Sequence, residues 1–130
     1  MQTLDAVEAH LLAAGAAPHE AVQLRIVAEE IVTNIARCAW PAGEARQFAV
    51  ELAVEARPNG LHVRMTTIDD GVSFDPTIQP APDVDAGPDE RQIGGLGMLL
   101  VHEMTDRQHY AREDGHNRFS VERLLRRATA

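Results

Sequence analysis

From residue 4 the apolar positions recur with the period of a helix. Leu4, Val7, Leu11 and Leu12 form one stripe, Thr3 or Asp5 can cap its start, and Gly15 ends it, which predicts a first helix over 4–15. Pro18-His19-Glu20 suits a helix start, with proline in the first turn and an acid near the positive end of the dipole. The second helix then runs from about 18 to 40, with Leu24, Val27, Ile31 and Ile35 as its core stripe and Pro41-Ala42-Gly43 as its stop. Glu30 and Asn34 stand four residues apart and share another face of that helix. Such a pair is either solvated or borders a polar site, while Glu29, one step round, points elsewhere.

From Arg46 the period falls to two. Phe48, Val50, Leu52 and Val54 alternate with Ala49, Glu51, Ala53 and Glu55, which predicts a half-buried strand. Arg57-Pro58-Asn59-Gly60 is a hairpin turn, because Asn-Gly tolerates the positive φ angles of a tight turn. Leu61, Val63, Met65 and Thr67 alternate in the returning strand, which ends at Ile68-Asp69-Asp70-Gly71. Residues 76–93 break the pattern with Pro76, Pro80, Pro82 and Pro88 among acids, and a loop that long predicts a lid. Ile93-Gly94-Gly95-Leu96-Gly97 opens a third helix that ends near Thr105-Asp106. Gln108 to Arg112 and Asn117 to about Leu125 are two more strands around an Asp114-Gly115 turn, and residues 126–130 read as a frayed tail. The order α-α-β-β-lid-α-β-β, without an internal repeat, predicts an α+β two-layer sandwich. Its sheet is expected to be mixed but mostly antiparallel, with helices on one face.

Composition narrows the function classes. A chain of 130 residues, 45% hydrophobic and 25% charged, fits one globular domain over 1–130. A net charge of −8 argues against a partner nucleic acid held by its backbone, though not against a single bound nucleotide. Cys38 stands alone, so no internal disulfide forms, and its place in the helix reads as a small core residue. Met1-Gln2-Thr3-Leu4-Asp5 carries no signal-peptide pattern and no run approaches a membrane span, so a cytoplasmic protein is expected.

Besides Glu30/Asn34, two stretches can carry chemistry. Asp69-Asp70-Gly71 at a strand end is either an ordinary Asp-Gly turn or an acid that accepts from a ligand amine, with the glycine allowing close approach. Gly94-Gly95-Leu96-Gly97 is costly inside a helix, at roughly 1 kcal/mol per glycine. At a helix start its bare N–H groups suit a phosphate, and the same glycines serve equally as a hinge for the loop before them. The histidines lack metal-site spacing, and Ser73 and Ser120 show no triad partners.

Taken in order, Glu30-x-x-x-Asn34, Asp69-x-Gly71 and Gly94-Gly95-x-Gly97 resemble the N box and the two glycine boxes of the Bergerat-fold ATPases. That superfamily includes gyrase, MutL and the histidine-kinase catalytic domains. The length, Val27 to Asn34, Phe74-Asp75-Pro76, Gly94 to Val101, and Thr105-Asp106, Tyr110, Gly115 and Asn117 are similar to the anti-sigma-factor serine kinases of bacterial partner switching. The likeness covers about residues 4–125. It implies ATP and Mg²⁺, with Asn34 on the metal, Glu30 acting on a partner serine hydroxyl, and Asp69 accepting from the adenine amine. It further implies that Gly71 admits the ring, that Gly94, Gly95 and Gly97 hold phosphates, and that the lid closes over them with Arg91. The implied partners are a STAS-domain antagonist and a sigma factor or other regulator. The chain departs from the family pattern at Cys38-Ala39, where His-Ala is usual, and at Ser73, where a second glycine is usual. It also begins almost at the first helix, where members commonly carry a strand that builds the dimer, which leaves a homodimer open. A module of the same fold that holds nucleotide or partners without transferring phosphate is the alternative. An isolated histidine-kinase catalytic domain fits less well, because none of the six histidines has a phosphoacceptor context.

Overall fold

The computed structural model describes residues 2–39, 48–77 and 95–129. The first helix, α1 (Gln2–Ala13), starts earlier than the capping residues imply. Asp5 lies inside its first turn and pairs with Arg25 at 2.7 Å instead of capping. Leu11 is fully buried while Leu12 is 42% exposed. Adjacent helical residues are about 100° apart, so a stripe that buries one turns the next outward.

The second helix, α2 (Pro18–Cys38), has proline at its first turn and no side-chain cap from Ala17. Leu24, Val27, Ile31 and Ile35 are buried as the period predicts. The helix closes with the Ala39 N–H donating to the Ile35 carbonyl at 2.8 Å. The expected stop at Pro41-Ala42-Gly43 and the strand start at Arg46 lie outside the described residues. Strands β1 (Phe48–Arg57) and β2 (Gly60–Asp69) form the first hairpin. Its central residues are Pro58 and Asn59, and the positive φ falls on Gly60 rather than on Asn59.

The third helix, α3 (Gly95–Met104), precedes strands β3 (Arg107–Glu113) and β4 (His116–Leu125). Between them Asp114 and Gly115 both take positive φ, at 51° and 76°, the mirror-image geometry that twists with a hairpin. The strand order is β1-β2-β4-β3 and each of these pairings is antiparallel. The result is an α+β open sheet. α2 lies in the middle of the helical layer, in contact with α1 on one side and α3 on the other.

The core fills the space between the layers. Leu24, Val27 and Ile31 of α2 meet Val63 and Met65 of β2 and Phe119 and Val121 of β4, with Val101 of α3 and Leu11 of α1 at the flanks. Val50, Leu52 and Val54 of the edge strand β1 are half-buried against it, as their alternation predicts. The opposite sheet face is polar, with His62 against Glu122 at 2.9 Å and Arg118 between Glu51 and Glu113. Among the described residues no helix is long and apolar enough to cross a membrane.

The tail is not frayed. Ala16 bridges Arg127, the Ala17 N–H donates to the Arg126 carbonyl at 2.9 Å, and the Ala128 N–H donates to the Gly15 carbonyl at 2.8 Å. The buried Glu20 carboxylate accepts from the Arg126 N–H as well. These partners lie more than a hundred residues away in sequence, which is why a local pattern misses them. A chain ending at Leu125 should therefore lose about 2–3 kcal/mol in urea unfolding, since each such bond is worth about 1 kcal/mol net. A frayed tail would give no change.

Candidate functional site

The site grows from the junction of β2, β4 and the end of α2. Asp69 closes β2, and the β2/β4 register sets it directly opposite Asn117. Both side chains are buried, at 3% exposure each. Asn117 Nδ2 donates to Asp69 Oδ1 at 2.9 Å and to the Val72 carbonyl at 2.8 Å. The Gly71 N–H donates to the same carboxylate oxygen at 3.0 Å. Tyr110 on β3 donates its hydroxyl to Asn117 Oδ1 at 2.6 Å, and Ser73 lies 3.3 Å from that hydroxyl. Arg112 adds a bond from its guanidinium to the Gly71 carbonyl at 2.7 Å. The loop after β2 is thus tied to β3 and β4 on one side.

On its other side the loop is tied to α2. The Val72 N–H donates to the Ala39 carbonyl at 2.8 Å. A Cβ on Gly71 would strike the carbonyl and Cβ of Ala39. The missing side chain at Gly71 therefore makes room for the helix end, whatever else it admits.

Between these ties lies a narrow cleft with room for about one water molecule. Ile31, Ile35 and Phe119 form its apolar wall, and Asn34, Thr67, Asp69, Tyr110 and Asn117 supply the polar atoms. Phe74 and Pro76, from the loop after β2, line it too. Asn34 is 5% exposed, so it is a buried carboxamide beside Ile31 and Ile35, not a residue of a solvated face. The Cys38 thiol, one turn on, donates to Asn34 Oδ1 at 3.8 Å. Burial pushes the Cys38 thiol up, against the lowering effect of Arg37, so it stays protonated at neutral pH. Cys38 is half-buried, less enclosed than a core residue.

Glu30 does not line the cleft. Its carboxylate lies against Gly97 in the first turn of α3, where a Cβ would collide with it. A negative charge at the positive end of a helix is favourable by roughly 0.3–1 kcal/mol. Gly95 is the first residue of that helix. Arg91, Gly94 and residues 78–93 of the lid expected over 76–93 lie outside the described residues. Of the sequence-derived set, then, Asn34 and Asp69 share one cleft, Gly71 braces it, and Glu30 with Gly97 forms an adjoining contact. The donor set fits a nucleotide with Mg²⁺: a carboxylate already anchored through one oxygen, a buried amide oxygen that takes a weak thiol donor, and glycines opening a helix start.

Asn117 and Tyr110 were legible only as parts of a family pattern, with no role attached. One signal was present: Asn117 stands on the same strand face as Phe119 and Val121. A polar residue in an apolar row must find a buried partner.

Residues 1–122 match the family model described as a histidine kinase-like ATPase domain. The chain belongs to that family. It is also 29% identical over 98 residues to the serine/threonine-protein kinase BtrW of Bordetella bronchiseptica. That match takes in 75% of this chain and 66% of the relative, so the chain spans slightly less than two thirds of the relative's length. No solved structure matches. For a histidine kinase-like ATPase domain the implied ligand class is ATP, and the cleft at Asp69 is the candidate place for it.

Gly71→Ala should destabilise the fold by about 1–3 kcal/mol in urea unfolding, the usual cost of forcing a methyl group into a packed contact. A raised thiol pKa means less thiolate at any given pH. Cys38 should therefore react with iodoacetamide at pH 8 more slowly in the folded protein than in urea.

Proposed function

We propose that this histidine kinase-like ATPase domain is an Mg-ATP-dependent serine/threonine kinase acting as an anti-sigma-type regulator. Its substrate would be a serine of a STAS-domain antagonist, and its second partner a sigma factor or another regulator in a bacterial partner-switching system. The observation that carries the reading is the meeting of Asn34 and Asp69 in one buried cleft, with Glu30 against Gly97 beside it. The resemblance to a named serine/threonine kinase supports the choice of reaction.

The residues divide the work. Asp69 accepts a hydrogen bond from the adenine amine. Asn34 gives its amide oxygen to Mg²⁺, a cation that prefers hard oxygen ligands. The first turn of α3, from Gly95 to Gly97, presents N–H groups to the phosphates, with Gly94 just before it and Arg91 of the lid joining them. Glu30 orients the serine hydroxyl and takes its proton as the oxygen bonds to the γ-phosphorus and ADP leaves. When bound, the metal offsets charge on the phosphate oxygens. Positioning and charge do most of the work in such a transfer.

A non-catalytic nucleotide-holding module is the second reading. Cys38 favours it, because its thiol engages the oxygen that the metal would take. The two readings separate in one pair of experiments. In calorimetry, Asn34→Ala should abolish Mg-dependent ATP binding, while Glu30→Ala should still bind. With labelled ATP and the cognate STAS protein, the wild type should label a partner serine and Glu30→Ala should fall by at least about 100-fold. Wild-type binding without any transfer would favour the module, and no Mg-dependent binding of adenine nucleotide would sink the kinase and leave at most a module that holds partners.

A further inference from the structure

We propose that Asn117, oriented by Tyr110, is a positioning residue that sets the base preference of the cleft. The inference rests on the reading that a nucleotide binds with its base against Asp69. It concerns what makes Asp69 selective.

The amide of Asn117 has one consistent orientation. Its oxygen takes the Tyr110 hydroxyl at 2.6 Å, so its nitrogen faces Asp69 and Val72. Turning the amide over would set its oxygen against a carboxylate oxygen and a carbonyl oxygen at hydrogen-bond distance, leaving three acceptors together with no proton among them. Tyr110 has one hydroxyl proton, and Asn117 receives it. The contact to Ser73 therefore runs the other way, with the serine hydroxyl donating to the tyrosine oxygen. The result is a directed chain, Ser73 to Tyr110 to Asn117 to Asp69. It begins at the residue where this sequence departs from its family's second glycine.

The chain ends on one atom. The Asn117 amide and the Gly71 N–H both donate to Asp69 Oδ1. With Oδ1 engaged twice, the carboxylate cannot swing freely about its terminal torsion, and among the described residues Oδ2 is the oxygen left to meet a ligand. An oxygen of an ionised carboxylate only accepts. It matches a base whose edge carries an amine, as adenine does, and repels one that carries an oxo group there, as hypoxanthine does. Without Asn117 the carboxylate keeps one anchor. It can then rotate, and it loses the fixed acceptor that discriminates between those edges.

The test compares ADP with inosine diphosphate, which differ on that edge of the base, by calorimetry without Mg²⁺. The wild type should prefer ADP by roughly ten- to a hundredfold, the range expected when a buried polar group is left unmatched. Asn117→Ala should bring the preference within about threefold. Tyr110→Phe, which keeps Asn117 but removes the bond that orients it, should fall between the two, and it decides alone if Asn117→Ala does not fold. A purely structural role would weaken both ligands equally and keep their ratio, and that result overturns the inference. A wild type that binds both nucleotides equally overturns it too. A wild type that binds neither overturns the inference together with the reading of the cleft, whereas a preference kept by the variants overturns the inference alone.

Discussion

The pairing of β2 with β4 is the constraint on which the rest depends. These strands are far apart in sequence, yet their register runs unbroken from Leu61 opposite Leu125 to Asp69 opposite Asn117. One sheet face of this pair carries Leu61, Val63, Met65, Phe119, Val121 and Leu125 into the core. The same face carries Asp69 and Asn117 to the cleft. Side chains alternate with a period of two, so a slip of one residue would move all of them to the other face. Burial of the apolar row thereby enforces the meeting of the polar pair. Core and site are read from a single alignment of two strands.

The second organising element is α2. Its C-terminal part holds Asn34 in the cleft, its cap Ala39 takes the Val72 N–H, and its Glu30 rests on Gly97. Both glycine segments of the site are thus fitted to the same helix, one at Gly71 and one at Gly97. A Cβ at Gly71 would strike the backbone at the end of α2, whereas one at Gly97 would require the Glu30 carboxylate to turn aside. At Gly71 the glycine answers a packing demand within the protein before any ligand arrives.

Much of this was legible in the sequence. The order of elements, the core stripe of α2, the alternation of β1 and β2 and the Asp114-Gly115 turn follow from local periodicity and turn chemistry. The α+β class follows from that order. One miss is local, and the others share a cause, which is distance along the chain. Leu12 is apolar and exposed because its neighbour Leu11 takes the inward direction. Asp5 pairs with Arg25 of the next helix instead of capping its own. The tail is held by Gly15 to Ala17 and by Glu20, partners that no local window contains. Within the site, Asn34 and Asp69 were recognisable by motif, but the support of Asp69 by Asn117 was not. That bond exists only once β2 and β4 are aligned.

The bridge between residues 15–17 and 126–128 bears on how the chain reaches its native state. The residues that satisfy the start of α2 are made after every helix and strand described here. A chain emerging from the ribosome can form its first hairpin and both early helices, but it cannot dock the entrance of α2 until synthesis has passed Ala128. Docking of the α2 start therefore waits on residues 126–128.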